Sequence, residues 1–149
     1  MKKVYSVGYI YTKRGFQYPG IDIPEEDVEP YLNQLKDIVG EEKYQKLTTN
    51  QKKRDGNEYH ITLLTPQEFE HIKFDNVGAL GKKVTVEYIG LGKAKKNKDE
   101  AYFVVVSFLE GNEIRESLGL AKRDFHVTLG FKSRDVYGMP KDKTALLKT

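Results

Sequence analysis

The chain has no cysteine among its 149 residues, which excludes disulfide bridges, thiolate nucleophiles and cysteine-based zinc sites. No apolar run approaches the ~20 residues needed to span a bilayer. The opening Met1-Lys2-Lys3-Val4-Tyr5 also lacks the hydrophobic stretch of a secretory signal. A cytoplasmic protein with no membrane association is expected. A strong charge imbalance is missing as well. The 25 basic and 22 acidic residues leave a formal charge of +3, which suits a phosphate-bearing ligand but is too small for tight binding to long nucleic acid. No spacing of histidine with carboxylates resembles a zinc site, so no metal or other cofactor is expected. Nothing linker-like or of low complexity divides the sequence, and residues 1–149 are expected to form one domain with a substantial core.

What is present reads as alternating strands and helices. Val4 to Tyr11 is rich in β-branched and aromatic residues and predicts a strand, with Tyr5, Val7, Tyr9 and Tyr11 on one face. Thr12 to Pro24 carries two glycines and two prolines and predicts a loop. Glu25 to Val39 has acidic residues at its start and Val28, Leu32, Leu35 and Val39 at helical spacing, with Gly40 to end it. Pro30 within it predicts a kink or a later start. A short second helix over Glu41 to Leu47 and a polar segment over Thr48 to Glu58 lead to a strand at Tyr59 to Leu64. Thr65-Pro66-Gln67-Glu68 has the form of a capping box and predicts a short helix. Strands follow at Val84 to Leu91 and Ala101 to Leu109, joined by the lysine-rich turn Gly92 to Glu100. A helix over Asn112 to Leu118 and a strand over Phe125 to Phe131 complete the pattern, and the remainder is irregular. The class is α+β: two small antiparallel sheets facing a cleft with helices outside, the alternative being one antiparallel sheet covered on one face.

One internal echo carries the chemistry. Tyr-His-Ile-Thr-Leu from Tyr59 recurs as Phe-His-Val-Thr-Leu from Phe125. Residues i and i+2 of a strand share a face. So His60 and Thr62 lie together opposite Ile61 and Leu63, and His126 and Thr128 oppose Val127, Leu129 and Phe131. Gly130 would continue the polar face and leave room for a ligand. A lone His-x-Thr is ordinarily the solvated side of a half-buried strand, but two of the chain's three histidines stand in near-identical pentapeptides. Imidazole gives or takes a proton near neutrality. Two of them at one phosphodiester can serve as base and acid, and threonine hydroxyls beside them can hold the non-bridging oxygens as charge builds. His71 follows Glu70 on the short helix and is expected at the surface.

These motifs resemble the signature of the two-histidine (2H) phosphoesterases, a pair of His-x-Thr/Ser tripeptides on strands lining a cleft between two pseudo-symmetric lobes. His60-Ile61-Thr62 and His126-Val127-Thr128 match it in full. The resemblance implies metal-independent cleavage of 2′,3′-cyclic phosphates, ADP-ribose cyclic phosphate or 2′–5′ linkages. It makes His60, Thr62, His126 and Thr128 catalytic and a cyclic nucleotide or short RNA the substrate. A compact phage branch degrades cyclic oligonucleotide immune signals (anti-CBASS nucleases), and this chain is similar to it in size and in lacking added domains; small RNA-repair enzymes share both traits. The resemblance also puts the first strand along the cleft floor, which makes Tyr9 and Tyr11 candidates for stacking a base. Lys122-Arg123 and Lys132/Arg134 bracket the second motif and are candidates to steer an anion, Lys132 foremost as a substrate-binding residue. The run Lys93, Lys95, Lys96 and Lys98 is expected to be a solvated turn, and the glycines and proline of Gly15, Pro19 and Gly20 suggest a mobile loop. A non-catalytic nucleotide- or RNA-binding module is the competing class, although such a module would be expected to lose one of the four motif residues.

Overall fold

A computed structural model describes residues 1–12, 14–72 and 78–147. It is an α+β structure with two antiparallel sheets. The elements are β1 (Lys2–Ser6), β2 (Gly8–Tyr11), β3 (Gln17–Ile23), α1 (Glu25–Val39), α2 (Glu41–Asp55), β4 (Tyr59–Thr62), α3 (Pro66–Glu70), β5 (Lys83–Lys96), β6 (Asp99–Ser107), α4 (Leu109–Ser117) and β7 (His126–Phe131). One sheet has the order β1-β5-β6-β7 and the other β2-β3-β4. The two His-x-Thr strands are therefore the edge strands of different sheets, and β4 lies beside β7.

The expected strand over Val4 to Tyr11 is two strands in two sheets. Buried Val7 is the crossing point, its backbone bonded to Lys82 and Gly81. The tyrosines consequently do not form a single stripe: Tyr5 donates its hydroxyl to Asp27 at 2.7 Å, whereas Tyr9 packs on Phe69 with ring centres 5.8 Å apart. The expected loop over Thr12 to Pro24 is largely strand β3, paired with β2 on one side and β4 on the other. Pro19 donates no N–H, but its carbonyl accepts from Leu63 and Leu64, so the segment's turn-like composition is overridden by pairing on both sides.

Helix α1 covers the predicted span without a break at Pro30 and buries Val28, Leu32 and Leu35. Helix α2 is twice as long as its apolar pattern suggests because its second half buries polar groups. Thr48 Oγ1 bonds the Tyr44 carbonyl at 2.9 Å, Gln51 Nε2 the Glu58 carbonyl at 2.8 Å, and Asn50 Nδ2 the carbonyls of Phe131 and Lys132. Each bond offsets the desolvation that would otherwise exclude these side chains from an interface. Thr65 and Glu68 form the predicted capping box at the start of α3.

The inner faces of both sheets share an apolar cluster that includes Ile21, Ile61, Leu63, Val84, Val104, Val127 and Leu129, with α1 and Leu47 of α2. Each fully buried aliphatic of this kind contributes on the order of 1.5–3 kcal/mol. A smaller cluster, Ala94, Ala101, Phe103, Val105, Phe131 and Val136, covers the other face of β6 and β7. The chain's last described segment is not irregular throughout: a 3₁₀ turn at Lys143–Ala145 and a bridge from Leu146 to Gly92 tie it to β5.

Candidate active site

In β4, Tyr59 and Ile61 are buried while His60 and Thr62 are mostly buried with an edge open to the cleft, and in β7 buried Val127 lies opposite His126 and the buried Thr128. Period-two alternation thus places all four candidate side chains on a single cleft, with a volume of about 940 Å³. The alternation fails one residue later. Phe103 pairs with Thr128 but Tyr102 pairs with Gly130, which leaves Leu129 as an extra residue in a bulge. Gly130 is therefore turned to the opposite face, where a Cβ would come within 2.8 Å of Leu47 of α2. The space it leaves serves the helix and not a ligand. Phe131 is turned the other way, into the cluster with Phe103.

Each histidine is held by a neighbour. The Nδ1–H of His126 donates to the Asp124 carbonyl at 2.9 Å, and its ring meets Phe103 edge-on. His60 Nε2 lies 3.1 Å from the Tyr18 hydroxyl, the rings being nearly perpendicular. Tyr18 itself is buried, which pushes its phenol up, and it also interacts with Thr62. Burial pushes both imidazoles below the ordinary histidine range. For His126 the Lys141 ammonium pushes the same way, whereas for His60 the Asp55 carboxylate pushes back.

The remaining cleft wall is cationic. Arg14, Lys53, Arg54, Arg123 and Lys141 line it against the carboxylates of Asp55, Glu58 and Asp135. Arg54 clasps Asp55 through Nε and Nη2 at 2.7 and 2.8 Å, reaches Asp135 at 2.5 Å and lies over the Phe131 ring. Buried Asp135 also accepts from buried Lys141 at 3.1 Å. Burial alone would raise the Asp135 carboxyl, but Lys141 and Arg54 hold it below the usual carboxylate range. Among the described residues no group of three or more His, Asp or Glu is placed to hold a metal ion, and no helix is long and apolar enough to cross a membrane.

Of the sequence candidates, His60, Thr62, His126, Thr128 and Tyr11 line the cleft and Tyr9 and Lys132 do not. Tyr9 is displaced because α3 brings Phe69 against its ring. Lys132 is exposed past the far end of β7, about 20 Å along the strand from His126 at ~3.3 Å per residue. Its neighbour Arg134 pairs with Asp99, and Lys122 with Glu116, so Arg123 is the flanking cation that reaches the cleft. Lys93 pairs with Glu100 and stays outside. His71 is exposed at the end of α3, as expected. Tyr18, Arg54, Asp135, Tyr137 and Lys141 were not legible as site residues, since each comes from a segment read as loop, polar linker or irregular tail.

Two edge strands, each presenting a His-x-Thr face to a shared cationic cleft in an α+β fold, define a two-histidine phosphoesterase. The family model for the Swiss Army Knife 2H phosphoesterase domain matches residues 25–137, about three quarters of the chain, and the chain belongs to that family. Both motifs fall within the match, whereas Tyr11 and Tyr18 precede it and Lys141 follows it. Searches of curated proteins and of solved structures returned no match. Family membership makes phosphodiester hydrolysis the general chemistry of the chain.

Proposed function

We propose that the protein is a metal-independent phosphodiesterase acting on ribose-linked phosphodiesters, with cyclic oligonucleotides as its substrates and degradation of an immune signal, as in a phage setting, as its role. The observation that carries this reading is the convergence of both His-x-Thr faces on one cleft. At about 940 Å³ the cleft stands near the top of the ~300–1,000 Å³ range of small-ligand sites, which suits two or three nucleotides better than one. Tyr11 and Tyr137, 68% and 69% exposed, stand at the cleft and offer faces on which bases can stack.

The two imidazoles take different roles because their surroundings differ. Burial and the Lys141 ammonium favour the neutral form of His126, and the Asp124 carbonyl fixes its tautomer so that the lone pair sits on Nε2: this is the base. His60, with Asp55 opposing the loss of its charge, is the acid. His126 takes the proton of a ribose 2′-hydroxyl as the 2′-oxygen bonds to phosphorus. The bond to the 5′-oxygen breaks, and His60 supplies the proton that this leaving oxygen needs. The products are a 2′,3′-cyclic phosphate and a free 5′-hydroxyl, and the exchanged protonation states allow water to open the ring by the reverse roles. Thr62 and Thr128 donate to the non-bridging oxygens as charge accumulates.

Turnover of a panel in excess EDTA tests this reading: cyclic dinucleotides and trinucleotides, their 2′-deoxy analogues, 2′,3′-cyclic mononucleotides and long RNA. Cleavage of the cyclic oligonucleotides and binding without cleavage of the deoxy analogues are expected. Preference for long RNA, or for 2′,3′-cyclic ends alone, would replace this substrate with that of an RNA-repair enzyme.

A further inference from the structure

Several of the buried cations near the cleft are neutralised by carboxylates. Arg54 and Lys141 share Asp135, and Arg54 holds Asp55 as well. Arg115, the other buried arginine nearby, makes two bonds to Glu68 and further bonds to the carbonyls of Leu63 and Ala121. It holds the Glu68 carboxyl down to about 2, so that carboxylate is already committed. Arg123 is different. Among the described residues its guanidinium has no hydrogen bond and no ion pair, and its Nε is buried without an acceptor.

The position of Arg123 is nonetheless fixed. Its backbone N–H donates to Asn112 Oδ1 of α4 at 2.9 Å, and two residues on, buried Phe125 packs against Phe108 with ring centres 4.9 Å apart. The charge lies on the cleft wall and acts on both His60 and His126, lowering the proton affinity of each. An arginine does not shed its proton in a protein, and burying an unpaired charge is costly. A site that holds such a charge beside two proton-transfer groups is built for an anion supplied from outside.

We infer that Arg123 is a further catalytic residue, whose guanidinium binds the non-bridging oxygens of the scissile phosphate together with Thr62 and Thr128. This rests on the phosphodiesterase reading above. The planar fork of arginine matches two phosphate oxygens at once, and its charge offsets the one that grows on them in the transition state. It also explains how two imidazoles of low proton affinity can operate. A bound phosphate offsets the Arg123 field and adds a negative charge of its own, so it favours the protonated form of the acid histidine.

The test combines kinetics with direct anion binding. Arg123→Gln should lower kcat/KM by on the order of 10²–10³-fold, the usual loss for one oxyanion donor, and should remove the rise in Tm that inorganic phosphate gives the wild type. Because the Arg123 guanidinium has no partner among the described residues, the variant's Tm without phosphate should not fall, which separates this role from a structural one. Arg123→Lys should keep part of the phosphate effect while losing the two-pronged geometry, and added guanidinium should restore activity to Arg123→Ala. Arg134→Gln, outside the cleft, is the control. Wild-type kcat/KM and undiminished phosphate protection in Arg123→Gln, with His60→Ala inactive, would overturn the inference and leave the phosphodiesterase reading intact. If the wild type cleaved no phosphodiester, that reading would fail, while phosphate protection would still decide whether Arg123 is an anion site.

Discussion

The Nδ1–H of His126 donates to the Asp124 carbonyl 2.9 Å away, so the nitrogen left to titrate is Nε2. A carbonyl can only accept, which fixes the tautomer of the neutral ring. The backbone two residues upstream therefore sets the proton-accepting atom of the site.

The pH dependence follows from the burial of both imidazoles. On the proposed mechanism turnover needs one protonated and one neutral histidine, a state most populated between the pair's two apparent pKa values. Both groups are pushed below the ordinary value of about 6.5, so kcat/KM should peak on the acid side of 6.5. The kcat profile, which reports the substrate complex, should peak at higher pH because the bound phosphate anion favours the protonated ring. Coincident profiles centred above 7 would show that the imidazoles are not depressed in the free protein.

Stability should respond in the same direction. A histidine whose folded pKa is lower than its unfolded one binds fewer protons in the native state, so its contribution is intact above about 6.5 and is lost as pH falls toward the folded value. His60 and His126 should each cost up to about 1.4 kcal/mol per pH unit in that window. Denaturant titrations from pH 7 to pH 5 check this. His126→Asn should flatten the fall, and an unchanged slope would place the acid sensitivity elsewhere.

Tyr18→Phe removes the hydroxyl shared by His60 and Thr62 but keeps the ring. The rate should fall roughly five- to tenfold, the worth of one hydrogen bond of about 1 kcal/mol, with KM little changed. A loss confined to KM would make Tyr18 a binding residue.

Gly130→Ala tests the bulge. The added Cβ would press on the backbone of Leu47, and forcing a methyl into packed surroundings costs about 1–3 kcal/mol. Reduced stability with kcat/KM preserved is expected. A variant of normal stability and raised KM would return Gly130 to the ligand face.

The motif strands were legible because alternation and composition agree there: Ile61 and Val127 turn inward, so their histidine neighbours must turn outward. Helix α1 and the capping box at Thr65 follow from equally local signals. What stayed hidden depends on distant partners. Strand β3, with Pro19 and Gly20, is held by pairing to β2 and β4, and it carries Tyr18. The second half of α2 is held by the bonds of Thr48, Asn50 and Gln51, and it carries Arg54. Lys141 is drawn in by Asp135, six residues before it and itself buried in the cleft lining. The bulge at Leu129 reversed the expected faces of Gly130 and Phe131 because a single extra residue inverts a period of two.

The proposed mechanism has two imidazoles, with no metal, carry the proton transfers. It is tested most directly by measuring cleavage of a cyclic dinucleotide in excess EDTA by the wild type, His60→Ala, His126→Ala and the double variant. Undiminished wild-type turnover is expected, with each single variant on the order of 10²–10⁴-fold slower and the double variant little worse than either, since the pair acts as a unit. Loss of wild-type activity in EDTA that a divalent ion restores, or a single variant at the wild-type rate, would contradict it.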